Sequence, residues 1–256
     1  MSFIKFLGTA GARFVMIKQL RSSGGIWLNY KNTNIIIDPG PGSLVHCHSS
    51  KPPLNPENLD AIVLTHKHLD HSNDVNVMAE AMTNGGFKKS GALFVPKDAV
   101  GVHGVVLPYI VDYVGEIVFL NKGERLQIGD ISFAVASKNV HPGDTYGLKF
   151  FLGDDVVGIV SDTRYFPKLI DSYNDVTILI LNVVFFERHS EVDHLCIDDA
   201  VSLIKSIRPK KTILTHFGLS MLKEKPYILE KDMQTTLDMN VTLAYDGYTF
   251  SLPFDE

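Results

Sequence analysis

Leu64-Thr65-His66-Lys67-His68-Leu69-Asp70-His71 places three histidines and an aspartate directly after the apolar run Ala61-Ile62-Val63. A short apolar run bounded by polar residues reads as a buried strand, so the ligand-type side chains fall in its exit loop, where the backbone is free to converge them. Histidines two positions apart cannot share a helix face, but in a loop His66 and His68 can bind one cation together. The adjacent Asp70 and His71 are then free to turn toward a second, so the spacing suits two metals.

The same placement recurs further along. His141 follows the strand-like stretch Phe133 to Val140, Asp162 follows Val156 to Val160, and His216 follows Thr212 to Thr215. A chain that repeatedly ends strands in His or Asp is building one edge of a sheet into a site, as open α/β sheets do beyond their strand ends. The carboxylate of Asp162 is suited to bridging two cations. Imidazole and carboxylate donors without thiolate suit zinc, with manganese and iron as alternatives.

Around these motifs, short β-rich runs alternate with helical patterns. Phe3 to Leu7, Ile26 to Tyr30 and Asn34 to Ile37 read as an opening β-meander, with Gly24-Gly25 and Lys31-Asn32-Thr33 as turns. Helical spacing is expected over Asp74 to Met82 and Ile197 to Ile207, the latter stopped by Pro209. Strands are expected at Ala92–Val95, Ile117–Leu120, Ile131–Ala136, Tyr146–Leu152, Val156–Val160, Val176–Leu181, Thr212–Leu214, Val241–Ala244 and Tyr248–Phe250. Neither a repeat nor a linker interrupts the pattern. One domain spanning residues 1–256, an α/β unit with two sheets, is the economical reading. The stretch 96–115, with its glycines, Pro108, Tyr109 and Tyr113, is read as a candidate loop over the site. His46-Cys47-His48 reads as a polar loop after Pro39-Gly40-Pro41-Gly42, with lining the site as the alternative.

Composition excludes several classes. A net charge of -5 argues against a broad basic surface for long nucleic acid. The local runs Arg208-Pro209-Lys210-Lys211 and Lys223 to Lys225 read as solvated faces. Two cysteines, Cys47 and Cys196, indicate no disulfide framework and a reducing compartment. The opening residues lack the long apolar core of a secretory signal, and the apolar segment Val176 to Phe186 is too short to span a bilayer, which needs ~20 residues. A cytoplasmic protein without a membrane segment is expected, with a homodimer left open.

Thr65-His66-Lys67-His68-Leu69-Asp70-His71, then His141, Ser161-Asp162-Thr163-Arg164 and Thr215-His216-Phe217-Gly218, resembles the metallo-β-lactamase superfamily over nearly the whole chain and in that family's order. The resemblance implies a four-layer αβ/βα sandwich, two mixed β-sheets packed between outer helices with a dinuclear site at one end. It further implies that His66, His68 and His141 hold the first metal, that Asp70, His71 and His216 hold the second, and that Asp162 bridges. Asp38, at the end of Ile35-Ile36-Ile37, would support the metal loop without ligating.

His194, followed by a helical segment and then by the strand leading to His216, is similar to the arrangement in ribonuclease Z and the small cyclic phosphodiesterases related to it. The resemblance implies a hydrolase of small or cyclic phosphodiesters using a hydroxide shared by two ions, with Asp70 and Asp162 orienting the nucleophile and His194 serving the phosphoryl group or leaving alkoxide. The short step from His141 to Asp162 leaves no room for the protruding arm with which ribonuclease Z grips transfer RNA. A lactone, ester or thioester hydrolase with the same metals is the alternative, and a helix cap or a surface residue is the competing account of His194.

Overall fold

The computed structural model describes residues 2–11 and 13–254. Its β-strands are β1 (Ser2–Phe6), β2 (Ile26–Tyr30), β3 (Thr33–Ile37), β4 (Ala61–Val63), β5 (Ser90–Val95), β6 (Val114–Phe119), β7 (Arg125–Ile128), β8 (Ile131–Lys138), β9 (Tyr146–Leu152), β10 (Asp155–Val160), β11 (Ile178–Phe185), β12 (Leu195–Cys196), β13 (Lys211–Thr215), β14 (Val241–Leu243) and β15 (Thr249–Leu252). The first sheet runs β15-β1-β2-β3-β4-β5-β6 and the second β14-β13-β11-β10-β9-β8-β7, with β12 beside β11. Both sheets are mixed. In the first, an antiparallel meander turns parallel at β3–β4; in the second, antiparallel pairing gives way to parallel pairing at β10–β11.

Side-chain alternation along these strands builds the layers. Ile35 and Ile37 of β3, Ala61 and Val63 of β4, Phe133 and Val135 of β8, and Ile178 and Ile180 of β11 meet between the sheets. Their neighbours face outward: Ile36 and Ile62 pack under Val75, Met78 and Met82 of the helix Val75–Met82, while Leu179, Leu181 and Leu214 pack under Ala200, Leu203 and Ile204 of the helix Ile197–Ile207. Because these central strands are covered on both faces, they read as near-continuous apolar runs. The result is the four-layer sandwich expected from the sequence.

Several elements differ from the expectation. Ser43–Ser49 is a helix, not a loop, with Cys47 packed in the outer core of the first sheet. Within 96–115 a helix, Pro108–Tyr113, follows a short turn, and Ala99, Val106 and Ile110 bury themselves against the first sheet. That connection is therefore part of the outer layer, and Asp98 reaches the site's rim, through Lys67 at 3.4 Å and the backbone N–H of Asp144. Lys211 belongs to no solvated face: it is buried, and its ammonium donates to Asn240 Oδ1 and Thr242 Oγ1. Among the described residues no helix is long and apolar enough to cross a membrane.

Candidate metal centre

The parallel strands β3, β4, β10, β11 and β13 all deliver their C-terminal ends to one edge of the sandwich, and the polar residues that follow them meet there. Asp38 leaves β3, Thr65 and His66 follow β4, Ser161 and Asp162 follow β10, Asn182 lies within β11 near that edge, and His216 follows β13. His141 comes from the hairpin between β8 and β9. Asp38 and His216 hold left-handed backbone conformations, φ 52° and 63°, an uncommon cost for non-glycine residues that lets both chains turn sharply into the site. Gly11 packs so closely on His216 that an added Cβ would lie 2.0 Å from the His216 carbonyl oxygen.

Among the described residues four overlapping groups of donor atoms have their members within 4.8 Å of one another; Asp38, His66 and His71, and His141, Asp162 and His194, overlap the two main ones, His66, His68 and His141, and Asp70, His71, Asp162 and His216. Asp162 Oδ2 lies between them, 3.3 Å from His71 Nε2, 3.9 Å from His66 Nε2 and 4.0 Å from His141 Nε2. Its other oxygen, Oδ1, is 3.4 Å from His216 Nε2 and accepts a hydrogen bond from Asn182 Nδ2. His216 Nε2 also stands 3.5 Å from Asp70 Oδ2.

The surrounding hydrogen bonds select which nitrogen of each ring faces inward. His141 Nδ1 is 2.9 Å from the Asp193 carbonyl, which can only accept, so Nδ1 carries the proton and Nε2 turns its lone pair to the site. His71 Nδ1 bonds Asp38 Oδ2 at 2.9 Å, which turns Nε2 toward the site. Thr65 Oγ1 donates its one proton to Asp38 Oδ2, so its 3.1 Å contact with His66 Nδ1 is a donation from the ring, again leaving Nε2 inward. Asp38 also accepts from the Thr65 backbone N–H and thereby clamps the loop at both ends. This carboxylate–histidine pairing is the kind of outer support that orients metal-ligating imidazoles.

The electrostatics are set by burial and by three carboxylates. Burial, reinforced by His71, holds His66 well below the usual histidine range, and burial with His141 lowers His68. Burial acts against charging His71 too, but Asp162, Asp70 and Asp38 outweigh it and push its pKa well above the usual value. Burial opposes ionisation of Asp162, yet His216, His71 and His194 hold it well below the ordinary carboxylate range.

The family model described as "Beta-lactamase superfamily domain" matches residues 33–217, spanning every donor above. The chain belongs to the beta-lactamase superfamily. It is 30% identical to the uncharacterized protein MJ1374 of Methanocaldococcus jannaschii over 97% of this chain and 98% of that one. It is 25% identical to a ribonuclease Z of Clostridium tetani over 88% of this chain and 91% of that one. Among solved structures it is similar to the metallo-beta-lactamase fold protein YhfI of Bacillus subtilis, with TM-score 0.77, 18% identity, and coverage of 97% of this chain and 98% of that one.

Superfamily membership supports a hydrolase and implies divalent metal ions, and the residues present fit them. Among the described residues His66 Nε2, His71 Nε2, His216 Nε2 and His194 Nδ1 are buried without a hydrogen-bond partner. Each such atom costs roughly 1–3 kcal/mol if nothing satisfies it, and all four converge on one space beside ionised carboxylates. Ligands ~2.0–2.1 Å from a tetrahedral ion stand about 3.3–3.4 Å apart; the 3.3 and 3.4 Å separations from Asp162 to His71 and His216 match that spacing, and His68 Nδ1 to His141 Nε2 is slightly tighter at 3.0 Å.

Every residue singled out from the sequence is at this centre except His46, Cys47 and His48. Cys47 is fully buried in the outer core of the first sheet, and that burial, with Asp74 nearby, pushes its thiol up to about 12, so it is a packing residue. His194 is near the centre and is not the helix cap: the helix starts at Ile197, as expected, with Cys196 as its cap, in a capping box with Asp199. His194 sits ahead of β12 in the loop from β11, its side chain nearly buried, so neither a capping nor a surface role accounts for it. Sequence reasoning missed Asn182, Asn139, whose amide donates to the Asp162 carbonyl, and Asp193. Only Asn182 left a signal, as a lone amide in an otherwise apolar strand.

Proposed function

We propose that the protein is a dinuclear metal-dependent phosphodiesterase acting on small or cyclic phosphodiesters. In this reading His66, His68 and His141 hold one divalent ion, Asp70, His71 and His216 hold the other, and Asp162 serves both. Zinc suits the imidazole-rich donor set best, with manganese and iron as alternatives. Bound there, the ions supply Lewis-acid polarisation of a phosphoryl group and acidify water near neutral pH.

The observation that carries the choice of substrate is His194. Its Nδ1 has no hydrogen-bond partner and lies 3.6 Å from Asp162 Oδ2, and its ring centroid is 4.9 Å from that of His141. A nearly buried histidine in addition to a complete donor set is suited to hold the phosphoryl oxygen or to give a proton to the departing alkoxide, a task that phosphodiester cleavage presents. Burial lowers the His194 pKa, and the Asp162 carboxylate opposes that fall. Asp70 and Asp162 would orient the attacking water. Kinship with a protein named ribonuclease Z supports a phosphodiester, and the net charge of -5 supports a small one. Two free, buried cysteines support residence in the reducing cytoplasm.

His194→Ala tests the assignment. It should keep its metals yet lose ~10²-fold or more in rate on alkyl phosphodiesters, with a smaller loss on bis(p-nitrophenyl) phosphate, whose leaving group scarcely needs a proton. Equal, undiminished rates on both substrates would remove His194 from the reaction. Wild-type turnover of lactones or thioesters without any phosphodiester hydrolysis would overturn the substrate class.

A further inference from the structure

A second polar cavity, of about 320 Å³, opens on the other side of the wall that bounds the metal centre, lined by Lys5, Leu7, Ser22, His46, Ser49, Ser50, Lys51, Asp246 and Gly247. Gly8 and Gly24 line the metal-centre side together with Asp70, His71 and His216, and Gly8 lies so close to the segment leading into β2 that an added Cβ would stand 2.1 Å from the Ser22 carbonyl oxygen.

The charges lining this cavity are unbalanced. Lys5 is only 6% exposed, yet its ammonium meets no carboxylate among the described residues: it donates to the Lys51 carbonyl at 3.4 Å and to Thr249 Oγ1 at 3.1 Å, leaving its third proton uncommitted. A buried lysine ordinarily has a counter-charge. Lys51 brings a second ammonium and His46 an imidazole. The one carboxylate present, Asp246, is already engaged, accepting from the Thr9 N–H, the Thr9 hydroxyl and the Ser22 N–H at 2.9, 2.7 and 2.7 Å. Arg21 stands behind it, donating to Thr9 Oγ1.

We infer that this cavity is an anion-binding site for a small phosphorylated molecule, held by Lys5, Lys51, His46 and the hydroxyl of Ser22. Two ammonium groups, an imidazole and a hydroxyl exceed what a single carboxylate uses well, and they suit the several oxygens of a phosphate. Leu7 alone is apolar among the named lining side chains, so recognition rests on the anion and not on a hydrophobic body. The site is separate from the donors at the metal centre and does not depend on the reaction assigned to them. Occupancy would be felt there through Thr9, whose carbonyl accepts from the Phe217 N–H next to His216.

Titration of the metal-loaded, ¹⁵N-labelled full chain with inorganic phosphate tests this. The amides of Lys5, Ser22, Ser50 and Lys51 should shift along one saturable curve, distinct from any curve followed by the amides of residues 65–71. Lys51→Ala, an exposed substitution, and Lys5→Met, of similar shape, should each weaken the first curve by about tenfold, the scale of one charge-assisted hydrogen bond, and leave the second unchanged. Unmoved cavity amides, or an affinity unaltered in Lys51→Ala, would overturn the proposal, and that readout stands even if Lys5→Met does not fold.

Discussion

The two donor groups of the metal centre are built differently. The first, His66, His68 and His141, consists of imidazoles alone, and His68 is only partly buried. The second contains Asp70 and Asp162, and His71 is braced from behind by Asp38. Positive charge is therefore favoured more strongly at the second group, where carboxylates attract it in a poorly solvated setting. The first group depends on the loop that follows β4 and on the β8–β9 hairpin, held by contacts such as the Asp193 carbonyl on His141. The difference teaches that the halves of one site can be tuned separately, one by charge and the other by loop position, with Asp162 as the side chain common to both.

The largest effect is expected where the halves meet. Asp162→Ala should lower activity by ~10²-fold or more and reduce the metal content of both groups, because it removes the carboxylate between them and leaves two cations unscreened. Elemental analysis beside steady-state rates checks this, and a variant with full metal content and normal turnover would break the claim that the halves share a residue. Asp38→Asn is expected to be smaller and one-sided. It keeps the shape but weakens the charge-assisted bond to His71, so affinity at the second group should fall ~10–100-fold while the first holds its ion, a difference seen by chelator competition.

Proton release supplies the smallest and most discriminating contrast. Burial holds His66 and His68 below the ordinary histidine value of ~6.5, so these two ligands should release few protons when the first group fills. His71 lies well above it, carries its proton at pH 7, and should give up about one when the second group fills. The sign follows directly: lowering the pH through the ordinary histidine range should weaken the second group first, since its raised ligand gains the competing proton earlier. Calorimetric titrations in buffers of different ionisation enthalpy measure the two values, and equal proton counts for both steps would erase the electrostatic distinction.

Much of the centre was legible because its donors follow apolar runs, and covered strands leave such runs in the sequence. His66, Asp162 and His216 stand out by residue type alone. The helix Ile197–Ile207 was equally plain, since Ala200, Leu203, Ile204 and Ile207 form one buried stripe. Helix Pro226–Leu237 was not, because Met233 is its one buried residue and leaves no stripe to detect. His46-Cys47-His48 looked like a loop for the same reason: only Ser43 and Cys47 of its helix turn inward. Outer contacts are harder still. Asp193 acts on His141 through a backbone carbonyl, which every residue has, and Asn139 reaches Asp162 only after the sheet has closed. Such partners are products of tertiary packing and leave no mark on local pattern.

The central claim is that seven side chains, His66, His68, Asp70, His71, His141, Asp162 and His216, form two adjoining cation sites. Elemental analysis of metal-replete protein against an independently measured protein concentration tests it most directly. The account predicts close to two divalent transition-metal ions per chain; a saturating content of one ion or fewer would contradict it.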